Sequence, residues 1–224
     1  MVLRTSIRFA YLKDIFQDSP RRTSVFNANI GRLIVLYEDL RIEIASFQAT
    51  SIKDADCINE GSYRKRYFLR RSIATLIEFS DAFSQFSHDE HIDSVTVAFD
   101  KKGKYLWSDT VALFKKHSQL LKNVRNDLGG HFGTKAAIYA IESLTPKITG
   151  QLASVRDYSP EGILYLPLFV GEITARSFLR HLEGDSIDER YRKLLKIVQE
   201  LQLGAIQSVQ NLLQYYLWPK FNGP

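Results

Sequence analysis

The chain contains a single cysteine, Cys57, among its 224 residues. One cysteine excludes an intramolecular disulfide framework and a metal site built from several thiolates. No apolar run approaches the roughly 20 residues that span a bilayer, and cations at Arg4, Arg8 and Lys13 interrupt any hydrophobic stretch near the N-terminus. We therefore expect a cytoplasmic protein without a membrane-spanning segment or a secretory signal.

Proline and glycine are also scarce, at six and twelve residues. Together with 45% hydrophobic and 25% charged residues, this composition is typical of a globular chain and excludes general disorder. There is no repeat, no flexible linker, no glycine-rich phosphate loop, no dinucleotide fingerprint and no nucleophile elbow. The sequence predicts a single domain over residues 1–224 that uses no cofactor.

The charge balance is modestly basic. A net charge of +5 and a pI near 9.2 favour association with phosphates, because a positive surface attracts them and raises the rate of encounter. RNA is therefore a candidate partner.

Helical periodicity dominates the chain. One apolar stripe comprises Leu33, Leu36, Tyr37, Leu40, Ile44 and Phe47, and a second comprises Leu69, Ile73, Leu76, Ile77, Ser80 and Phe83. Further helices are predicted from Ser108 or Asp109 to about Leu128, from Thr134 to about Pro146 with Ala137, Ile138, Ile141 and Leu144 inside, over 168–182, and over 187–217. Within residues 87–108, the apolar residues Val95, Val97 and Phe99 occupy every second position. This alternation predicts an insertion or a short hairpin between helices. The fold class is all-α, an up-and-down helical bundle over about 31–145 with C-terminal helices over about 163–218.

The segment with chemical potential is Arg125-Asn126-Asp127-Leu128-Gly129-Gly130-His131. Arg125 lies beside the apolar stripe of its helix, where a guanidinium is costly unless it meets a carboxylate, a phosphate or water. Histidine is the side chain whose ordinary pKa lies near neutrality. On a continuous helix, Arg125 and His131 would diverge, but Gly129-Gly130 can interrupt the helix, or a twofold dimer can pair the sites of two chains.

This segment resembles the active-site signature of HEPN-fold ribonucleases, in which an arginine and a following polar residue precede a histidine by a short variable gap. Here the polar residue is Asn126, and the gap between Arg125 and His131 is five residues. The family fold is a small helical bundle, in agreement with the periodicity. The resemblance covers about 32–144 by helix order but only 125–131 by motif.

The resemblance implies a metal-independent endoribonuclease that serves as a toxin or antiviral effector, with an antitoxin as partner. His131 would act as general base or acid, Arg125 would stabilise the charge on the phosphate, and Asn126 would orient the phosphate or the catalytic pair. The products would carry 2′,3′-cyclic phosphate ends. A homodimer with two motifs in one cleft is also implied.

Other interpretations remain open from the sequence. Arg125 could pair with Asp127, Glu78 or Glu43 inside an ordinary bundle, with His131 as a residue of the next helix. The protein would then be a non-catalytic module for dimerisation, partner binding or nucleotide binding. A basic protein that binds nucleic acid without cleaving it is a third possibility.

Two further groups of residues are candidates for binding. Five cations and three aromatic residues occupy 63–71; we hypothesise that the cations contact RNA and that the aromatic residues face the core. These cations are Arg64, Lys65, Arg66, Arg70 and Arg71. His88-Asp89-Glu90-His91, with Asp93, has ligand-type residues but is more typical of a polar loop, so no metal site is predicted. His117 and His181 are interpreted as structural or surface residues.

Overall fold

The structure, a computed structural model, describes residues 23–50, 60–128, 134–144, 153–155, 163–165, 176–177 and 179–219. Its helices are α1 (Thr23–Ala49), α2 (Glu60–Ser87), α3 (Ile92–Thr96), α4 (Lys101–Leu128), α5 (Thr134–Glu142) and α6 (Ile187–Asn211). A π-helical segment, Leu212–Leu217, continues α6. The strands β1 (Ala153–Val155) and β2 (Ile163–Tyr165) pair antiparallel. The predicted all-α fold, a helical bundle, is confirmed.

Residue contacts group the chain into two compact units. Among the described residues, the first unit contains 23–38, 78–116 and 201–219, and the second contains 39–77 and 117–200. Each of the four long helices therefore contributes one stretch to each unit. The candidate motif and the basic run over 63–71 both belong to the second unit.

The apolar stripes predicted on the first two long helices are confirmed except at Ile44, Phe47 and Ser80, which are half-buried. In α1, Leu33, Leu36, Tyr37 and Leu40 are buried, and in α2, Leu69, Ile73, Leu76, Ile77 and Phe83 are buried. These residues recur at three- and four-residue spacings, so they share one face of each helix. When the chain folds, the side chains on that face are removed from water together. This burial of apolar surface is the main way in which they stabilise the fold.

The first unit has a core that is rich in aromatic side chains. Phe83 lies 5.1 Å from Trp107 and 5.3 Å from Phe114 between ring centroids. Phe26 stacks on Phe86 at 5.1 Å. Such ring pairs contribute roughly 0.5–1.5 kcal/mol beyond the burial of their area. They join α1, α2 and α4 in this unit.

The segment before α4 differs from its prediction. Residues 92–96 form the short helix α3, and α4 begins at Lys101, not at Ser108 or Asp109. Oδ1 of Asp100 accepts a hydrogen bond from the backbone N–H of Gly103 at 2.6 Å, and this interaction caps the helix. Residues 100–103 have the sequence Asp-Lys-Lys-Gly, which suits a hairpin turn as well as a helix start, because a helix cap and a turn use the same residue types.

Two other predictions in the C-terminal half of the chain are wrong in part. Ile138 and Ile141 were expected inside, but they are 49% and 54% exposed, whereas Ala140 is fully buried. The region assigned to C-terminal helices from about 163 contains β2, whereas the predicted start of the long helix at Ile187 is confirmed. Among the residues that the structure describes, no helix combines the length and the apolar character that a membrane span requires.

Candidate functional site

The motif begins in the last turn of α4 and extends beyond it. Asn126 is exposed and Asp127 is buried with 3% of its surface accessible. The backbone of Arg125 belongs to α4, but its side chain and all of Gly129, Gly130 and His131 lie outside the described residues. The predicted convergence of Arg125 and His131 therefore stays a prediction.

Asp127, inside the motif, binds an arginine and a histidine from a distant segment. Nε of Arg180 donates to Oδ2 of Asp127 at 2.7 Å, and Nη2 of Arg180 donates to Oδ1. Nε2 of His181 lies 2.6 Å from the same Oδ2. The exposed fractions of the side chains are 4% for Asp127, 24% for Arg180 and 17% for His181. A buried carboxylate is thus paired with an arginine and a histidine that remain accessible to solvent.

These distances indicate the role of Nε2 of His181 in its contact with Asp127. Nε of Arg180 is also 3.0 Å from Nε2 of His181, but its single hydrogen is better accepted by the carboxylate at 2.7 Å. Nε2 of His181, at 2.6 Å from the carboxylate, is then the donor of a second hydrogen bond. No residue in the described ranges forms a hydrogen bond with the other ring nitrogen, Nδ1.

The same distant segment also holds the helix that follows the motif. Nη1 of Arg176 donates to the carbonyl of Ser143, just after α5. Nη1 of Arg190 donates to the hydroxyl of Tyr139 within α5 at 3.1 Å. Arg180 and His181 thus contact α4 through Asp127, Arg190 contacts α5 through Tyr139, and Arg176 contacts Ser143 just beyond it.

The three carboxylates considered as partners for Arg125 all have other partners. Asp127 is bound as described, and Glu78 lies 2.8 Å from Nη2 of Arg32. Oε1 of Glu43 accepts a hydrogen bond from Oγ1 of Thr75 at 2.9 Å. Each carboxylate therefore has a partner other than Arg125. The side chain of Arg125 itself is outside the described residues.

Glu43 has an unusual environment in the second unit. Its Oε2 is buried and has no hydrogen-bond partner in the described part of the chain. Burial raises the pKa of this carboxyl above its usual 4.5, while the hydrogen bond from Thr75 and the charge of Arg71 act in the opposite direction. Nε of Arg71 is 3.7 Å from Oε1, so one cation of the basic run interacts with this carboxylate.

The other cations of the basic run lie along the first turns of α2. Arg64 is exposed, and Nζ of Lys65 lies 5.7 Å from the centroid of the Phe47 ring. The guanidinium of Arg70 lies 5.4 Å from the centroid of the Tyr67 ring. The side chain of Arg66 is outside the described residues.

The expectation that the aromatic residues of this run face the core is wrong for Tyr67, which is 40% exposed. Its ring contacts Phe68 edge-on, at 5.4 Å between centroids. Arg70 and Tyr67, three residues apart on a helix, are neighbours on one surface. The surface thus presents an aromatic ring together with cations.

The histidine-rich loop has a structural arrangement. Nδ1 of His88 lies 2.6 Å from the carbonyl of Ser84, and the ring of His91 lies 5.8 Å from that of Phe26. No group of three or more metal-ligating side chains that could hold an ion occurs within the described ranges. His88 thus binds the end of its own helix, α2, and His91 packs against α1.

Sequence reasoning missed Arg180 and His181 as members of the candidate site. They lie 53 and 54 positions from Asp127, and no local pattern marks the pairing. The one available signal was Asp127 itself, an acidic residue inside the motif that needs a partner when it is buried. Comparison with protein-family models, curated proteins and solved structures found no match to this chain.

Proposed function

We propose that the protein is a metal-independent endoribonuclease of the HEPN type, with Arg125, Asn126 and His131 as its catalytic residues. The observation that supports this most directly is the pairing of Asp127, inside the signature, with Arg180 and His181. A phosphate-cleaving site needs positive charge and a group that transfers protons near neutral pH. Arg180 and His181 are side chains of these two kinds, and both contact the motif at Asp127.

The reaction would be an attack of the ribose 2′-hydroxyl on the adjacent phosphorus. The bond between the 2′-oxygen and phosphorus forms while the bond to the 5′-oxygen breaks, which leaves a 2′,3′-cyclic phosphate. His131 transfers a proton, and Arg125 stabilises the negative charge that develops on the phosphate oxygens. Asn126, which is exposed at the end of α4, hydrogen-bonds to the phosphate.

The basic surface of α2 would bind the RNA strand on either side of the cleaved bond. Arg64, Lys65, Arg66, Arg70 and Arg71 supply the cations. Arg70 lies over the exposed ring of Tyr67, and an exposed ring beside cations is a common surface for single-stranded RNA. This surface and the motif belong to the same unit of the chain.

A homodimer belongs to the same proposal. Ile138 and Ile141 are 49% and 54% exposed and lie three residues apart on α5, the helix that follows the motif. A second copy of the chain that covers these side chains would bring a second motif close to the first. A cytoplasmic toxin or antiviral effector, neutralised by an antitoxin, is the biological role that fits such an enzyme.

RNA cleavage in the presence of EDTA tests the proposal. The wild-type protein should produce fragments with cyclic phosphate ends, and Arg125→Ala and His131→Ala should each lose about 100-fold or more in rate. His88→Ala, at an exposed histidine of the other unit, is the control and should cleave normally. Intact RNA with the wild-type protein, or unchanged rates in both variants, would contradict the proposal.

A cleft in the first unit favours a second candidate function, nucleotide binding without cleavage. The cleft has a volume of about 390 Å³, and four amide side chains line it together with Lys102 and Tyr215. Those amides are Gln207, Gln210, Asn211 and Gln214. Amides can hydrogen-bond to base edges, and a lysine can bind phosphate. Calorimetric titration with nucleotides, compared with a Lys102→Ala and Gln214→Ala double variant, distinguishes this function from RNA cleavage.

A further inference from the structure

The cleft of the first unit lies between the start of α4 and the end of α6 with its π-helical continuation. Its lining includes one carboxylate, that of Asp100, and one ammonium group, that of Lys102. Both residues are exposed, so their charged groups can meet a bound molecule. The carboxylate only accepts hydrogen bonds, and the ammonium group only donates them. The cleft therefore distinguishes ligands by where they carry donors and negative charge.

Two hydrogen bonds fix the carboxylate of Asp100. Oδ1 accepts from the backbone N–H of Gly103 at 2.6 Å, and Oδ2 accepts from the hydroxyl of Tyr215 at 3.2 Å. The hydrogen bond to Asp100 and its negative charge raise the pKa of Tyr215 above the usual 10.0, so the hydroxyl remains a donor. A carboxylate has about four acceptor positions. Each oxygen can thus accept a further hydrogen bond from a ligand.

Gly103 leaves a space open beside this carboxylate. A Cβ on Gly103 would lie 3.1 Å from Oδ1 of Asp100 and 3.2 Å from Nδ2 of Asn211. These two atoms therefore border the same small space, and one is an acceptor while the other is an amide donor. Together, the two side chains present an acceptor at Oδ2, a second acceptor at Oδ1 and then a donor at Nδ2.

Guanine carries the complementary pattern on its Watson–Crick edge. Its 2-amino group and its N1–H are adjacent donors, and O6 beside them is an acceptor. Adenine has an acceptor at N1 and cytosine has one at N3, and a carboxylate repels both. Uracil offers a single donor between two carbonyl groups. Guanine is thus the standard RNA base that matches all three atoms.

On the basis of the second candidate function, nucleotide binding, we propose that this cleft binds guanine nucleotides and that Asp100 determines the choice of base. Oδ2 and Oδ1 of Asp100 accept from the 2-amino group and from N1–H, and Nδ2 of Asn211 donates to O6. Lys102 binds the phosphate. The volume of about 390 Å³ lies within the roughly 300–1,000 Å³ that is typical of small-molecule sites.

Calorimetric titration with three nucleoside monophosphates tests the choice of base. The wild-type protein should bind guanosine monophosphate about 10-fold or more tightly than adenosine monophosphate. Xanthosine monophosphate carries a carbonyl oxygen in place of the 2-amino group. This oxygen would face the carboxylate of Asp100, so xanthosine monophosphate should also bind more weakly than guanosine monophosphate by about 10-fold or more.

Asp100→Asn exchanges one acceptor for a donor. Asparagine caps a helix about as well as aspartate, so the variant keeps the bond from Gly103 and the fold. Its amide nitrogen now matches the 2-carbonyl of xanthine. The variant should therefore bind xanthosine monophosphate more tightly than guanosine monophosphate. Asp109→Asn, at an exposed position of α4 outside the lining of the cleft, is the matched control and should keep the wild-type preference.

The outcomes separate the inference from the function on which it rests. Equal affinities of the wild-type protein for the guanosine and adenosine nucleotides would overturn the inference and leave nucleotide binding in place. A preference for guanosine monophosphate that persists in Asp100→Asn would also overturn it, because another group would then select the base. Failure of the wild-type protein to bind any of the three nucleotides would refute the second candidate function as well.

Discussion

Oδ2 of Asp127 lies 2.6 Å from Nε2 of His181, although 54 positions separate the two residues. Arg180 binds the same carboxylate through two nitrogens. A carboxylate that is only 4% exposed is thereby neutralised by groups from another part of the chain. The pairing consequently ties the end of α4 to residues 180–181 in addition to any chemical role.

Asp127→Ala should lower the free energy of unfolding by about 1–3 kcal/mol, because Arg180 and His181 lose their common partner. Removal of one partner from a fully buried ion pair costs about 3–5 kcal/mol. The loss here should be smaller, because water can solvate Arg180, which is 24% exposed. Urea unfolding measures the difference. Asn126→Ala, one position earlier and exposed, should unfold like the wild-type protein; equal losses in both variants would contradict the explanation.

The contrast between two helical glycines gives a second prediction. A Cβ on Gly204 would lie 3.0 Å from Oγ1 and 3.3 Å from Cγ2 of Thr110. Thr110 is fixed there because its hydroxyl donates to the carbonyl of Gly204 at 3.3 Å and accepts from Ser208 at 2.9 Å. Gly204→Ala should therefore lower the free energy of unfolding by about 1–3 kcal/mol.

Gly31→Ala is the matched control, because a Cβ there meets no atom within 4 Å. Alanine restricts the unfolded chain and suits a helix better, so this variant should gain about 0.5–1 kcal/mol. Thermal or urea unfolding of both variants gives the comparison. A change of the same sign at both positions would show that close packing at Gly204 is not the cause.

The sequence predicted the features that depend on local spacing. The buried stripes of α1 and α2 were found because Leu33, Leu40, Leu69 and Leu76 follow helical periodicity. The start of α4 was missed because Asp100 is a helix cap in a sequence that is equally typical of a turn. Local pattern alone did not separate these two structures.

The candidate site was predictable only in its local half. Arg125, Asn126 and His131 stand close together in the sequence, so a spacing rule could select them. The contact of Asp127 with Arg180 and His181 depends instead on how a distant segment packs, and periodicity contains no information about it. The exposure of Ile138 and Ile141 was missed for a similar reason, since an apolar stripe does not reveal what covers it.

The surface around Tyr67 gives a third prediction, on RNA binding. Tyr67→Ala should weaken binding of single-stranded RNA by about 1–3 kcal/mol, because a base stacked on the ring would lose its contact. Fluorescence anisotropy with a labelled oligonucleotide measures this. Trp218 is the control, since it is equally exposed at 40% but belongs to the other unit. Trp218→Ala should bind as the wild-type protein does, and equal affinities of both variants would remove Tyr67 from the RNA surface.

Glu43 gives a fourth prediction, on the pH dependence of stability. Burial raises the pKa of this carboxyl in the folded protein above 4.5, so the folded state holds the proton to a higher pH than the unfolded state does. The resulting stabilisation is complete below pH 4.5 and is lost as the pH rises through the pKa of the folded state. Above that range the charged carboxylate is buried, and its Oε2 has no hydrogen-bond partner among the residues that the structure describes.

Glu43→Gln should remove this dependence, because the amide stays neutral and can still accept the hydrogen bond from Thr75. Its free energy of unfolding relative to the wild-type protein should therefore increase with pH, as measured by urea unfolding from about pH 4 to about pH 8. Glu200→Gln, at an exposed position of α6, should leave the wild-type slope unchanged. A parallel pH dependence of Glu43→Gln and the wild-type protein would mean that the Glu43 carboxyl is ionised equally in the folded and unfolded states, in conflict with its burial.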